Sequence, residues 1–163
     1  MKTFEEIKDL LASYSPYNEF GELINQSGSL IGLGEFYYGD DEDFIEASKE
    51  LKGRVLTMGN IVIQPNQTTD DNSILSFSLR VMAPVDVKDT QEKRTEDSET
   101  LRLLRAILAQ IKVLQKSGDL KQANSGLQIE PIATTYGTSY IGWEVNLSFE
   151  INFLICIDPL EWN

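Results

Sequence analysis

From Ile141 to Ile155 every second residue is apolar, and from Glu144 to Asn152 the residues between them are polar. Trp143, Val145, Leu147, Phe149, Ile151, Phe153 and Ile155 fall on one side of an extended backbone. Glu144, Asn146, Ser148, Glu150 and Asn152 fall on the other. A period of two over this length specifies a β-strand with one dry face and one wet face. At about 3.3 Å per residue such a strand would run roughly 50 Å. One domain of this chain length is only about 40 Å across. The strand therefore either bends at a bulge or carries its end outward to pair with another chain. It has neither proline nor lysine to blunt it as an edge, so pairing between subunits is an expectation.

The 163-residue chain is long enough to bury a core of its own and reads as one domain. Its chemistry is restricted by what it lacks. The formal charge is −12 and there is no histidine. Phosphate backbones are repelled by such a chain, which argues against an adhesive nucleic-acid or anionic-membrane surface. Imidazole-based triads, Cys–His pairs and His-ligated zinc are excluded. Cys156 is the single cysteine, so no internal disulfide or multi-thiolate zinc site can form, and its isoleucine neighbours predict a buried, inert thiol. The opening Met1-Lys2-Thr3-Phe4-Glu5-Glu6 lacks the layout of a signal peptide, and no apolar run reaches the roughly 20 residues of a membrane span. The expected location is the cytoplasm of synthesis.

The fold class expected is α+β: a mainly antiparallel sheet of about four strands, one long helix packed on it, and N-terminal helices. Thr3 and Glu6 form a capping-box pattern ahead of Phe4, Ile7, Leu10, Leu11 and Tyr14, predicting a helix over 3–15 that stops at Ser15-Pro16. Ser29 to Leu33 reads as a short strand. A second helix is expected from Asp41 to Leu51, with carboxylates at its start and Gly53 beyond its end. A β-hairpin is expected over 54–84, its strands at Gly59–Gln64 and Ser73–Pro84. A charged connection follows over 85–97, read as a surface loop or as an arm that orders against a neighbour. Asp97 or Ser98 then caps a main helix over 98–116, with Leu101, Leu104, Leu108 and Ile111 on its inward stripe and Gly118 at its end. A strand pair over 127–157 closes the chain, with Pro131 marking an edge or a bulge.

No catalytic constellation emerges. The acidic run Asp40–Asp43 lacks the spacing of a calcium loop and reads as helix-start electrostatics. Glu144 and Glu150, six residues apart on one strand face, stand about 20 Å from each other, too far for paired-carboxylate chemistry. Gly32, Gly34 and Gly39 are too loosely spaced to cradle a phosphate. The reading is therefore non-enzymatic, with no catalytic residue, metal or cofactor. The residues assigned to a subunit interface are Asp86, Lys88, Asp89, Glu92, Lys93 and Arg94 in the charged connection, and Glu144, Asn146, Ser148 and Glu150 on the wet strand face.

Several local sequences resemble a family of small structural proteins from tailed phages of Bacteroidetes-type hosts. They are Tyr38-Gly39-Asp40, Ile61-Val62-Ile63-Gln64-Pro65, Leu79-Arg80-Val81-Met82 with Asp86, Asp97-Ser98-Glu99-Thr100-Leu101, Gly142-Trp143, and Cys156-Ile157-Asp158-Pro159-Leu160. Thr57-Met58 stand where such proteins often carry Tyr-Pro. The resemblance implies a tail-completion, tail-terminator or head–tail connector subunit in the virion. It would be made in the host bacterial cytoplasm and assembled as a hexameric or dodecameric ring that meets portal, neck or tail proteins. An acidic lining would let DNA pass without sticking. The alternative is a small cytoplasmic binding or adaptor protein acting as a monomer or dimer.

Overall fold

A computed structural model of the chain describes residues 2–17, 29–39, 44, 53–65, 72–124, 126–136 and 138–152. In chain order these form α1 (Phe4–Ala12), β1 (Phe36–Tyr38), β2 (Val55–Pro65), β3 (Asn72–Pro84), α2 (Thr90–Ser117), β4 (Lys121–Gln122), β5 (Ile129–Tyr136) and β6 (Thr138–Asn152). The α+β class holds, with a richer sheet than expected. Six strands take part in the order β1-β2-β3-β6-β4, and β5 also pairs with β6. All neighbours are antiparallel except β1 and β2, which run parallel.

The long alternating segment does form a strand, but it is not an edge. One side of β6 pairs with β3 from Tyr140↔Pro84 to Asn152↔Asn72. The other side pairs with β5 from Thr138↔Tyr136 to Val145↔Ile129, then with β4 at Phe149↔Gln122 and Glu150↔Lys121. The expectation of an exposed, pairable β6 is thus corrected for the described residues. Its length is used by laying two short strands end to end along one side. Phe153, Ile155 and Cys156 lie outside the described residues, as do most of the expected helix 41–51 and the hairpin tip.

Register explains the core. Leu56 and Met58 of β2, Leu75, Phe77, Leu79 and Val81 of β3, and Val145, Leu147, Phe149 and Ile151 of β6 share the face that α1 and α2 cover. Ile7 and Leu11 come down from α1, and Leu103, Leu104, Ile107 and Ile111 from α2. Each such side chain fully buried contributes about 1.5–3 kcal/mol. A smaller cluster of Phe44, Val55, Met82 and Tyr140 forms on the opposite face, at one end of the sheet. Phe44 packs edge-on against both Tyr37 and Tyr140. One long strand therefore serves two apolar clusters, one on each face.

The capping box on α1 forms as expected: Thr3 Oγ1 accepts from Glu6 N–H, and Glu6 Oε2 accepts from Thr3 N–H. Ser29–Leu33 is a turn rather than a strand. Leu30 N–H donates to the Tyr14 carbonyl, and Gly32 takes the left-handed conformation at φ 95°. In the hairpin, β2 begins at Val55 and breaks register between Gly59 and Val62, where Asn60 adopts φ 51°.

The largest correction concerns the charged connection. It is helix from Thr90 onward, so the main helix starts eight residues before Ser98 and runs for 28 residues to Gly118 at φ 85°. Gln91, Glu92, Lys93, Arg94 and Glu96 are good helix formers; Gln91 and Arg94 are exposed, the other three are half-buried, and together they carry no apolar stripe. Periodicity cannot register a helical turn that has no apolar face.

Candidate functional site

The ten residues assigned to an interface fall into three places. Glu144, Asn146, Ser148 and Glu150 lie on the sheet face opposite α2, where each meets a partner within the chain. Arg80, directly across from Glu144 on β3, pairs with it at 3.0 Å, Nε to Oε2. Ser78 Oγ donates to Asn146 Oδ1 at 2.8 Å, and Asn60 Nδ2 donates to Ser78 Oγ at 3.3 Å. The hydroxyls of Ser76 and Ser148 are 2.8 Å apart. Lys121 Nζ reaches Glu150 Oε2 at 2.8 Å. Cross-strand pairs of this kind contribute about 0.2–1 kcal/mol each. The wet face is a polar ladder whose groups satisfy one another.

Asp86, Lys88, Asp89 and Glu92 form the second place, a network that starts α2. Asp89 is the N-cap and accepts from Glu92 N–H at 3.0 Å, while Glu92 Oε2 accepts from Asp86 N–H at 3.0 Å. Asp86 Oδ1 accepts from Lys88 N–H at 2.9 Å. Carboxylates here also meet the positive end of the helix dipole.

Lys93 and Arg94 occupy the third place. With Asp97 they face Pro131, Ile132 and Ala133 of β5 across a groove of about 480 Å³. The Asp97 carbonyl accepts the indole N–H of Trp143 at 3.0 Å, which fixes α2 to β6 at this level. The sheet separates the Glu144–Glu150 row from Lys93 and Arg94, so the ten residues do not converge on one surface.

Two arrangements were not legible in the sequence. Arg54 grips Glu96 with two hydrogen bonds, Nε to Oε2 at 2.7 Å and Nη2 to Oε1 at 3.0 Å, and Nη1 donates to the Gly32 carbonyl at 3.2 Å. The Glu96 hydrogen bond raises the Arg54 pKa further above its ordinary range. A cavity of about 360 Å³ opens beside this pair, lined also by Tyr17, Leu33 and Pro84. Its guanidinium is committed to Glu96 and Gly32, which leaves it poorly placed to bind an anion. The second is Asn124, which bridges the gap between β4 and β5. Its Oδ1 accepts from Ser148 N–H at 3.0 Å and its Nδ2 donates to the Asn146 carbonyl at 3.1 Å. In sequence Asn124 signalled only a turn, because nothing local marks the strand it would complete.

Among the described residues no three His, Cys, Asp or Glu side chains stand where they could hold one metal ion, and no helix is long and apolar enough to cross a membrane. The chain matches no protein-family profile, no curated protein and no solved structure.

Proposed function

We propose that this chain is a structural subunit of a phage head–tail junction or tail-end ring, assembled around the channel that DNA crosses. The observation that carries the reading is a convergence. Three of the sequence segments that resemble such ring proteins, distant along the chain, meet at one junction of the fold. Val81 and Met82 of β3 lie opposite Trp143 and Gly142 of β6. Trp143 in turn holds the Asp97 carbonyl of α2.

Charge supports the same reading. A chain of net charge −12 without histidine suits a wall past which DNA must move without being gripped. The decisive experiment is light scattering with negative-stain microscopy on the purified protein, alone and with a portal complex. Rings of uniform diameter are expected. A protein that stays monomeric and fails to bind the portal overturns the reading and favours a monomeric adaptor.

A further inference from the structure

Ile31 is 86% exposed, the most exposed large apolar side chain among the described residues. It sits at the tip of a β-turn in which Leu33 N–H donates back to the Leu30 carbonyl at 3.1 Å and Gly32 takes φ 95°. An apolar tip on a loose loop would need no explanation. This one is fixed at both ends and at its tip. Leu30 N–H donates to the Tyr14 carbonyl, Gly34 N–H to the Arg54 carbonyl, and the Ser15 hydroxyl to the Gly34 carbonyl. Arg102 Nη2 holds the Ile31 carbonyl at 3.2 Å, and Arg54 Nη1 holds the Gly32 carbonyl at 3.2 Å. Each guanidinium is itself held by an α2 carboxylate, Arg54 by Glu96 and Arg102 by Glu99. Leu33 is buried, so the turn is anchored inside while Ile31 stays in solvent. A side chain already ordered before it meets a partner has the character of an interface anchor.

A matching recess lies on the other flank of α2. At 100° per residue, positions 96, 99 and 102, which serve the Ile31 turn, point roughly 180° away from positions 90, 93, 94 and 97. The latter border the groove of about 480 Å³, whose floor is Pro131 and Ala133 of β5 with Ile141 of β6. Pro131 and Ala133 are exposed, and Ile141, directly opposite Ala133 in the sheet, is half-buried. The outer edge of β5 has no strand partner among the described residues, which leaves this side of the groove open. Knob and recess cannot meet within one molecule, because α2 stands between them.

The charges around the two sites are complementary. Lys93 and Arg94 on the groove rim have no ion-pair partner among the described residues, and Asp97 lines the groove with them. The turn is flanked by Glu99 and by the exposed guanidinium of Arg102. We infer that the Ile31 turn of one copy inserts into the α2–β5 groove of a second copy, with Glu99 against Lys93 and Arg94, and Arg102 against Asp97. Because knob and recess are different surfaces on opposite flanks, the contact is head-to-tail, the kind that closes into a ring when the rotation allows. The inference rests on the ring reading and adds the residues and the polarity of its interface. The groove supplies both the apolar floor and the rim charges that the turn and its neighbours require, which favours a copy of this chain over an unrelated partner.

Sedimentation velocity over a concentration series, with the protein alone and with a portal complex, tests it with two variants. Ile31→Asp removes the knob, and Ala133→Arg closes the recess. Both side chains are exposed, so both variants should keep the native circular dichroism and urea midpoint. The native chain is expected to form species larger than a dimer, and each variant alone to lose association by at least about tenfold. An equimolar mixture should then form dimers and nothing larger, because Ala133→Arg supplies the one intact knob and Ile31→Asp the one intact recess. Ile31→Ala, which leaves the turn uncharged, gives the same loss if Ile31→Asp fails to fold. Unchanged self-association in either variant, or large assemblies from the mixture, overturns the inference and leaves the ring reading intact. Native protein that is monomeric at every concentration, alone and with portal, overturns both. Portal binding that Ile31→Asp loses while self-association persists assigns the tip to the portal instead.

Discussion

Gly142 of β6 lies so close to the Val81 carbonyl of β3 that any Cβ on it would overlap the oxygen. The Met82 Cα and the Val81 carbonyl carbon crowd the same position at 2.8 and 2.9 Å. All three atoms are backbone, and backbone in the middle of a sheet cannot swing aside as a flexible side chain can. Gly142→Ala should therefore cost about 2–3 kcal/mol, the upper range of overpacking in a tight interior. Urea unfolding reads that loss directly. A cost under about 0.5 kcal/mol, the size of an ordinary surface change, would mean that β3 and β6 separate more readily here than their register implies.

The start of α2 at Thr90 makes a second prediction, on a helix end that carries no apolar stripe. Asp89→Ala removes the side chain that accepts from Glu92 N–H and should destabilise the protein by about 1 kcal/mol. The amides of Gln91, Glu92 and Lys93 should then exchange faster with solvent, while those near Ile107 keep their protection. Deleting Lys88 to Arg94 is a far larger change than loop removal, since it takes away the cap and the first helical turn together. Equal amide protection at Glu92 in the native chain and in Asp89→Ala would contradict this account of the helix start.

These two sites mark what could and could not be read from the sequence. The main core face of β3 and β6 was legible because alternation marks it: Leu75, Leu79, Val145 and Phe149 are all in the core. Ser78 and Met82, buried on the opposite face, were not marked by it. The Thr3–Glu6 capping box was legible because both partners are local. The β1–β2 parallel pair, β4, and the Arg54–Glu96 link depend on which distant segments meet, and no local pattern encodes that. That Thr138–Asn152 is flanked on both sides by strands of its own chain was hidden for the same reason. A strand looks equally pairable whether its neighbours come from its own chain or from another.

Glu6 gives a pH prediction. The Thr3 backbone N–H, held by its carboxylate, lowers its pKa below the ordinary 4.5. A carboxylate depressed in the folded state contributes stability that is fully present above the unfolded value and disappears as pH falls through the folded one. Acidification also relaxes the repulsion of a chain of net charge −12, so the native protein's own profile mixes opposite effects. Glu6→Gln keeps an acceptor for Thr3 N–H and removes the titration. Between about pH 6 and pH 3 the native chain should lose stability relative to this variant, with the divergence confined to the range below about 4.5. Parallel urea midpoints across that range would show that the cap does not depend on charge.

Asn124 completes the side of β6 that β4 and β5 leave open. Without its amide, the Ser148 N–H and the Asn146 carbonyl lose their partners at the gap between the two short strands. The Ala123 N–H still donates to the Ser148 carbonyl at 2.7 Å, so the chain remains anchored nearby. Asn124→Ala should then cost about 1–2 kcal/mol, the range for leaving a partly buried backbone group unsatisfied. Its signature is local: the Ser148 amide should lose more protection from hydrogen exchange than Phe149, whose neighbour Gln122 still pairs with it. Asn124→Asp separates the two bonds, because a carboxylate still accepts from Ser148 N–H but cannot donate to the Asn146 carbonyl. Protection at Ser148 that survives in Asp and falls in Ala would identify the accepted bond as the one that closes the gap. Equal protection in all three proteins would mean that solvent serves this stretch of β6 as well as the side chain does.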